Sequence, residues 1–157
     1  MANISIFGLG YVGSVSIACI AQDGHSVIGV DSNKAKVDII NRGHSPVIEK
    51  DLEPLIDHGL KNGLIQATTD GKYSVLNSDI SFICVGTPSN PNGSLNLEYI
   101  ERVIHDIGDN LKEKNGYHII VIRSTIMPGT TEKTIIPILE TNSGKKLGID
   151  FGVVVNP

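Results

Sequence analysis

The 157-residue chain contains no tryptophan and only three phenylalanines and four tyrosines. Its apolar mass is carried instead by Ile, Val and Leu, the residues that fill strands buried on both faces. Two cysteines, Cys19 and Cys84, are too few for a disulfide framework, and neither sits in a Cys-x-x-Cys or Cys/His cluster. Both lie in apolar segments, so two reduced core thiols are expected. The five histidines are scattered without metal-ligand spacing, and no metal is expected. No stretch approaches the roughly 20 apolar residues of a membrane span. The apolar start, residues 3–10, is short, broken by glycine and not preceded by basic residues. It makes a poor signal peptide, which leaves the cytoplasm as the expected compartment. Basic residues are in deficit, 13 Lys and Arg against 17 Asp and Glu, for a net charge of −4. A surface for nucleic acid or an anionic membrane needs a basic patch, so neither partner is expected.

What the chain does have is alternation. Short apolar runs predict strands at Asn3–Phe7, Val27–Val30, Ile65–Thr68, Ile80–Val85, Ile119–Ile122 and Phe151–Val155. Helix-period segments between them cover Val12–Gln22, Lys34–Asn41, Asp51–Asn62 and Lys72–Asn77. After a Gly/Pro/Ser/Asn-rich loop, residues 86–96, a stripe of Leu97, Ile100, Ile104, Ile107 and Leu111 predicts an amphipathic helix with Asn96 as its N-cap. Glu98, Glu101, Arg102, Asp106 and Asp109 fall on its polar face. Pro128 is expected to open a further helix at its first position, and Pro137 to end or kink it. Regular β/α alternation predicts one domain over residues 1–157. Its expected form is a Rossmann-type, doubly wound α/β fold: a parallel sheet of about six strands with helices on both faces.

The first loop carries chemistry. Gly8-Leu9-Gly10-Tyr11-Val12-Gly13 fits G-x-G-x-x-G, and it closes a strand and opens a helix, the context that gives the pattern meaning. Gly8 suits the tight turn, Gly10 lets a pyrophosphate approach the backbone, and Gly13 lets helix and strand pack closely. The phosphates then meet unpaired N–H groups at the positive end of the helix dipole. Asp31 ends the second strand, 18 residues after Gly13. A carboxylate there accepts the ribose hydroxyls and repels a 2′-phosphate, which favours NAD over NADP. Lys36, five residues on, either reaches the ribose or a phosphate or is a solvated helix lysine. The fourth and fifth strands end in Gly86-Thr87-Pro88 and Arg123-Ser124-Thr125, putting hydroxyls on the edge where a nicotinamide belongs. Thr87 is equally read as a turn residue, and Ser124 and Thr125 as caps of the next helix.

These residues resemble those of the nucleotide-sugar 6-dehydrogenases. The matching stretches are residues 6–13, Val30-Asp31, Ser45-Pro46, Phe82-Ile83-Cys84-Val85-Gly86-Thr87-Pro88, Asn92-Gly93-Ser94-Leu95, Arg123-Ser124-Thr125 and Asn156-Pro157, which span the chain. Two features resemble the GDP-mannose branch more than the UDP-glucose branch. One is the placing of Pro128 three residues after Thr125; the other is Ser143-Gly144-Lys145-Lys146 followed by Asp150-Phe151-Gly152-Val153. The resemblance implies Tyr11, Val12, Asp31, Lys36, Thr87 and Thr125 as NAD contacts. It also implies a nucleotide-sugar substrate oxidised twice, from alcohol to aldehyde to carboxylate, with a cysteine capturing the aldehyde.

Several departures matter. In the family that cysteine, the central region and the substrate-binding domain lie beyond the position of Pro157, and neither Cys19 nor Cys84 matches the thiol. The stretch alone is therefore expected to bind NAD without turnover. It is also expected to be monomeric, because the family's homo-oligomers form through the central region. Glu49-Lys50-Asp51-Leu52 replaces the common Glu-Pro-Gly-Leu, which puts the shape of that loop in question. A UDP-glucose or UDP-N-acetyl sugar specificity, and a stand-alone NAD-binding module, are the competing expectations.

Overall fold

A computed structural model describes all 157 residues. Six parallel strands form one sheet in the order β3-β2-β1-β4-β5-β6. They are β1 (Asn3–Phe7), β2 (Ser26–Val30), β3 (Ile65–Thr68), β4 (Ile80–Ile83), β5 (His118–Ile122) and β6 (Phe151–Val155). The helices are α1 (Tyr11–Gln22), α2 (Lys34–Asn41), α3 (Leu52–Lys61), α4 (Gly71–Leu76), α5 (Glu98–Leu111) and α6 (Ile136–Ser143). This is the doubly wound order, which reverses direction between β1 and β4 and opens a crevice there at the carboxyl ends of the strands.

The two-residue period of each strand divides the core into two layers. Ile4 and Ile6 of β1 pack with Ile17, Ala18 and Ala21 of α1 and Ile56 of α3. Phe7 joins Ile83, Ile120 and Ile122 against Ile100, Ile104, Ile107 and Leu111 of α5. The α5 stripe thus buries as its spacing predicts. Asn96 Oδ1 accepts the Glu98 N–H at 2.8 Å, satisfying one of the helix's free donors although the regular helix starts two residues later.

Other expectations need correction. Cys19 is exposed, because the buried stripe of α1 runs through Gly13, Ser14, Ile17, Ala18 and Ala21 and leaves position 19 outside. Pro128 is not the first residue of a helix. It precedes Gly129 (φ 86°) in a turn closed by the Thr130 N–H on the Met127 carbonyl, with the helix beginning beyond. Nor does Pro137 end that helix. A π-helical turn at Thr131–Ile135 leads straight into α6, with the Ile136 N–H bonded five residues back to Thr131. Proline at 137 has no N–H to give, and its ring would crowd the Lys133 carbonyl; the wider turn relieves both. Asp51 takes the left-handed conformation (φ 62°), the one a glycine adopts freely. Aspartate is among the residues that tolerate it, so this loop needs no glycine to turn into α3.

Candidate functional site: the carboxyl edge of the sheet

The turn from β1 to α1 owes two of its glycines to the fold and one to something else. Gly8 has φ 101°, and a Cβ there would lie 2.9 Å from the Cys84 carbonyl oxygen. A Cβ on Gly13 would overlap the Gly8 carbonyl oxygen. Gly10 is different: its φ is −81°, open to any residue, and a Cβ would meet no protein atom within 4 Å. It faces open cleft, as does Gly86 at the end of β4. No side chain caps α1 and no acid stands in its first turn, so the first amides of the helix are left for a ligand.

Asp31 is held in place by two amides. Its Oδ2 accepts the Leu9 N–H at 2.7 Å, tying β2 to the glycine turn, and its Oδ1 accepts the Asn33 N–H at 2.8 Å. A carboxylate has about four lone-pair sites, so each oxygen keeps capacity for a hydroxyl. Lys36 Nζ lies 3.5 Å from Asp31 Oδ2, which brings that side chain to the site.

Two clefts flank the glycine turn. The first, about 580 Å³, is lined by Gly8, Gly10, Asp31 and Lys36 together with β4-end and α5 residues. The second, about 300 Å³, brings together Gly10, Tyr11, Val12, Thr87, Arg123 and Thr125. The structure therefore gathers every candidate contact except Gly13 at the cleft surface; Gly13 is buried and acts through packing. Tyr11 and Val12 are exposed despite being apolar. Ser124 is no helix cap: it is buried, and its hydroxyl donates to the Val85 carbonyl at 2.6 Å, pinning the β4 exit to the β5 exit. Arg123 Nη1 donates to Asn156 Oδ1 at 3.1 Å.

The sequence pattern missed the outer wall of the larger cleft. Tyr99, Arg102, Val103 and Asp106 of α5 and Gly71 of α4 line it. Helical spacing marked Arg102 and Asp106 as facing away from the core, but could not show that the sheet edge faces them. Cys84 borders both clefts. Burial pushes its thiol up to about 11, against the opposing charge of Arg123, so it is a poor nucleophile here.

A parallel sheet of this order, with an uncapped helix behind a glycine turn and an acid at the end of β2, defines a dinucleotide-binding Rossmann domain. Residues 2–157 match the family model for the UDP-glucose/GDP-mannose dehydrogenase family, NAD binding domain, and the chain belongs to that family. It is 54% identical over 155 residues to the GDP-mannose 6-dehydrogenase of Pseudomonas aeruginosa, covering 99% of this chain and 36% of that protein. Its fold matches the crystal structure of a ternary complex of GDP-mannose dehydrogenase from P. aeruginosa with a TM-score of 0.96, over 98% of this chain and 35% of that one. A UDP-glucose dehydrogenase structure from Pyrobaculum islandicum matches at 0.93 with 35% identity, over 100% and 36% of the two chains. The chain thus spans about a third of the length of these relatives. No helix is long and apolar enough to cross a membrane.

Proposed function

We propose that this chain holds NAD for a nucleotide-sugar 6-dehydrogenase acting on GDP-mannose in the cytoplasm. In this reading residues 1–157 form the cofactor domain, while the catalytic cysteine, the sugar pocket and the dimer-forming region belong to other parts of a longer enzyme. Gly10 carries the reading: the fold does not require glycine there, whereas a pyrophosphate lying on the α1 amides does.

The residues fit the cofactor from end to end. The free amides behind Gly10, at Tyr11 and Val12, hold the two phosphates. Asp31, oriented by Leu9 and Asn33, accepts the adenosine ribose hydroxyls, and Lys36 balances the charge of the carboxylate. When bound, NAD supplies the hydride acceptor. Thr87 and Thr125 stand in the second cleft, where their hydroxyls orient the nicotinamide carboxamide and exclude loosely held water. Ser124 fixes the spacing of the two loops that carry them. The similarity to GDP-mannose 6-dehydrogenases supports the choice of sugar.

Calorimetric titration of this 157-residue chain tests the assignment. NAD should bind at least tenfold tighter than NADP, because Asp31 repels a 2′-phosphate. Asp31→Asn should weaken NAD at least tenfold, read at a temperature where the variant is folded because the Leu9 or Asn33 N–H also loses its acceptor. Unchanged NAD affinity in that variant would remove Asp31 from the ribose site. For the longer enzyme, turnover of GDP-mannose against UDP-glucose decides the sugar.

A further inference from the structure

We propose that Asp106 reads the base of the dinucleotide, its carboxylate accepting the exocyclic amino group of adenine. The inference rests on the NAD reading above and deepens it. With the phosphates on α1 and the ribose on Asp31, the base must lie in the part of the larger cleft bounded by the loop after β3 and by α5. The lining of this cleft includes Phe7, Val30, Val85 and Val103, which suit the flat apolar faces of a purine, and on the α5 side it carries Tyr99, Arg102 and Asp106.

Asp106 is held for such a role. Asn110 Nδ2 donates to its Oδ1 at 3.1 Å and to its main-chain carbonyl at 2.8 Å, which restrains the carboxylate. The other oxygen, Oδ2, makes no hydrogen bond within the protein and lies against Gly71, where a Cβ would overlap it. The neighbouring Arg102 makes no hydrogen bond to it and pairs instead with Glu98 Oε1 at 3.0 Å. Burial raises the carboxyl's pKa despite the Asn110 bond, and Asp109 and Asp70 push it the same way. Oδ2 is thus an open acceptor on the exposed rim of the cleft, where an incoming amino N–H takes the place of water.

Adenine offers an amino group at this position; hypoxanthine offers a carbonyl oxygen, which a carboxylate repels. The test is calorimetric binding of NAD and of nicotinamide hypoxanthine dinucleotide to the wild-type chain, Asp106→Ala and Asp106→Asn. The wild type should prefer NAD at least tenfold. Asp106→Ala should cut the preference to twofold or less by weakening NAD, and Asp106→Asn, whose amide can donate to the carbonyl, should improve hypoxanthine binding. Equal wild-type affinities, or a preference that survives in Asp106→Ala, would overturn the assignment while leaving the NAD site intact. If neither dinucleotide bound the wild type, the NAD reading would fall and this inference with it.

Discussion

The two edges of the sheet are built on opposite principles. At the carboxyl edge, polar groups are left open: the first amides of α1, Gly10 and Gly86 facing empty cleft, and Asp31 with spare acceptor capacity. Toward the amino edge, buried polar groups pair mostly with one another, His118 Nδ1 alone of that network being left without a partner. Lys114, only 8% exposed, donates from Nζ to the Ser78 carbonyl at 2.5 Å and the Val75 carbonyl at 2.9 Å, closing the end of α4. Burial holds its pKa below the usual lysine value. Beside it Ser5, Ser81 and His118 form a fully buried chain, with Ser5 and Ser81 hydroxyls 2.7 Å apart and Ser81 2.8 Å from His118 Nε2. One edge spends its polar groups on stability and the other reserves them for a ligand. Substitutions in the amino-edge network should therefore move stability without binding, and those at open carboxyl-edge positions such as Gly10 should move binding with little change in stability.

The largest stability effect is expected at Lys114. Lys114→Ala strips donors from buried carbonyls and should cost about 2–4 kcal/mol in urea unfolding, while folded protein keeps its NAD affinity. Loss of NAD affinity in folded Lys114→Ala would break the division between the edges.

Next comes acid sensitivity from His118. Burial, reinforced by the nearby Lys114 charge, pushes its pKa down to about 4 from an ordinary 6.5. The unfolded chain therefore takes up this proton first, so the contribution is complete above pH 6.5 and is lost as pH falls toward 4. The expected slope is about 1.4 kcal/mol per pH unit within that window. Urea midpoints at pH 7 and 5 should drop more for the wild type than for His118→Gln; equal drops would exclude His118 as the source.

The smallest effect concerns the thiols. Exposed Cys19 should be alkylated by iodoacetamide at pH 8 well before Cys84, and mass mapping of the labelled peptides reads the order. Faster labelling of Cys84 would contradict its burial.

Much of this was legible from residue order. Asn3–Phe7, Ile65–Thr68 and Phe151–Val155 appear as strands with the expected ends, because each is a short run rich in β-branched or aromatic residues bounded by turn residues. The glycine turn and Asp31 were legible because their spacing follows from local geometry. The amino-edge network was not, since Lys114 and Ser78 are 36 residues apart in the chain and meet only through sheet order. Pro137 misled because a lone proline signals a break, while the π turn that absorbs it has no simple sequence mark. Cys19 misled because an apolar neighbourhood does not specify which helix face a residue takes.

The most direct test compares Gly10→Val with the wild type by thermal unfolding and NAD calorimetry on the same samples. A Cβ at position 10 meets no protein atom within 4 Å, and the branched side chain of valine would compete with a phosphate for the α1 amides. The predicted result is a melting temperature within about 2 °C of wild type, a shift worth about 0.5–1 kcal/mol, with NAD affinity reduced at least tenfold. NAD binding at wild-type strength in the folded variant would contradict the account.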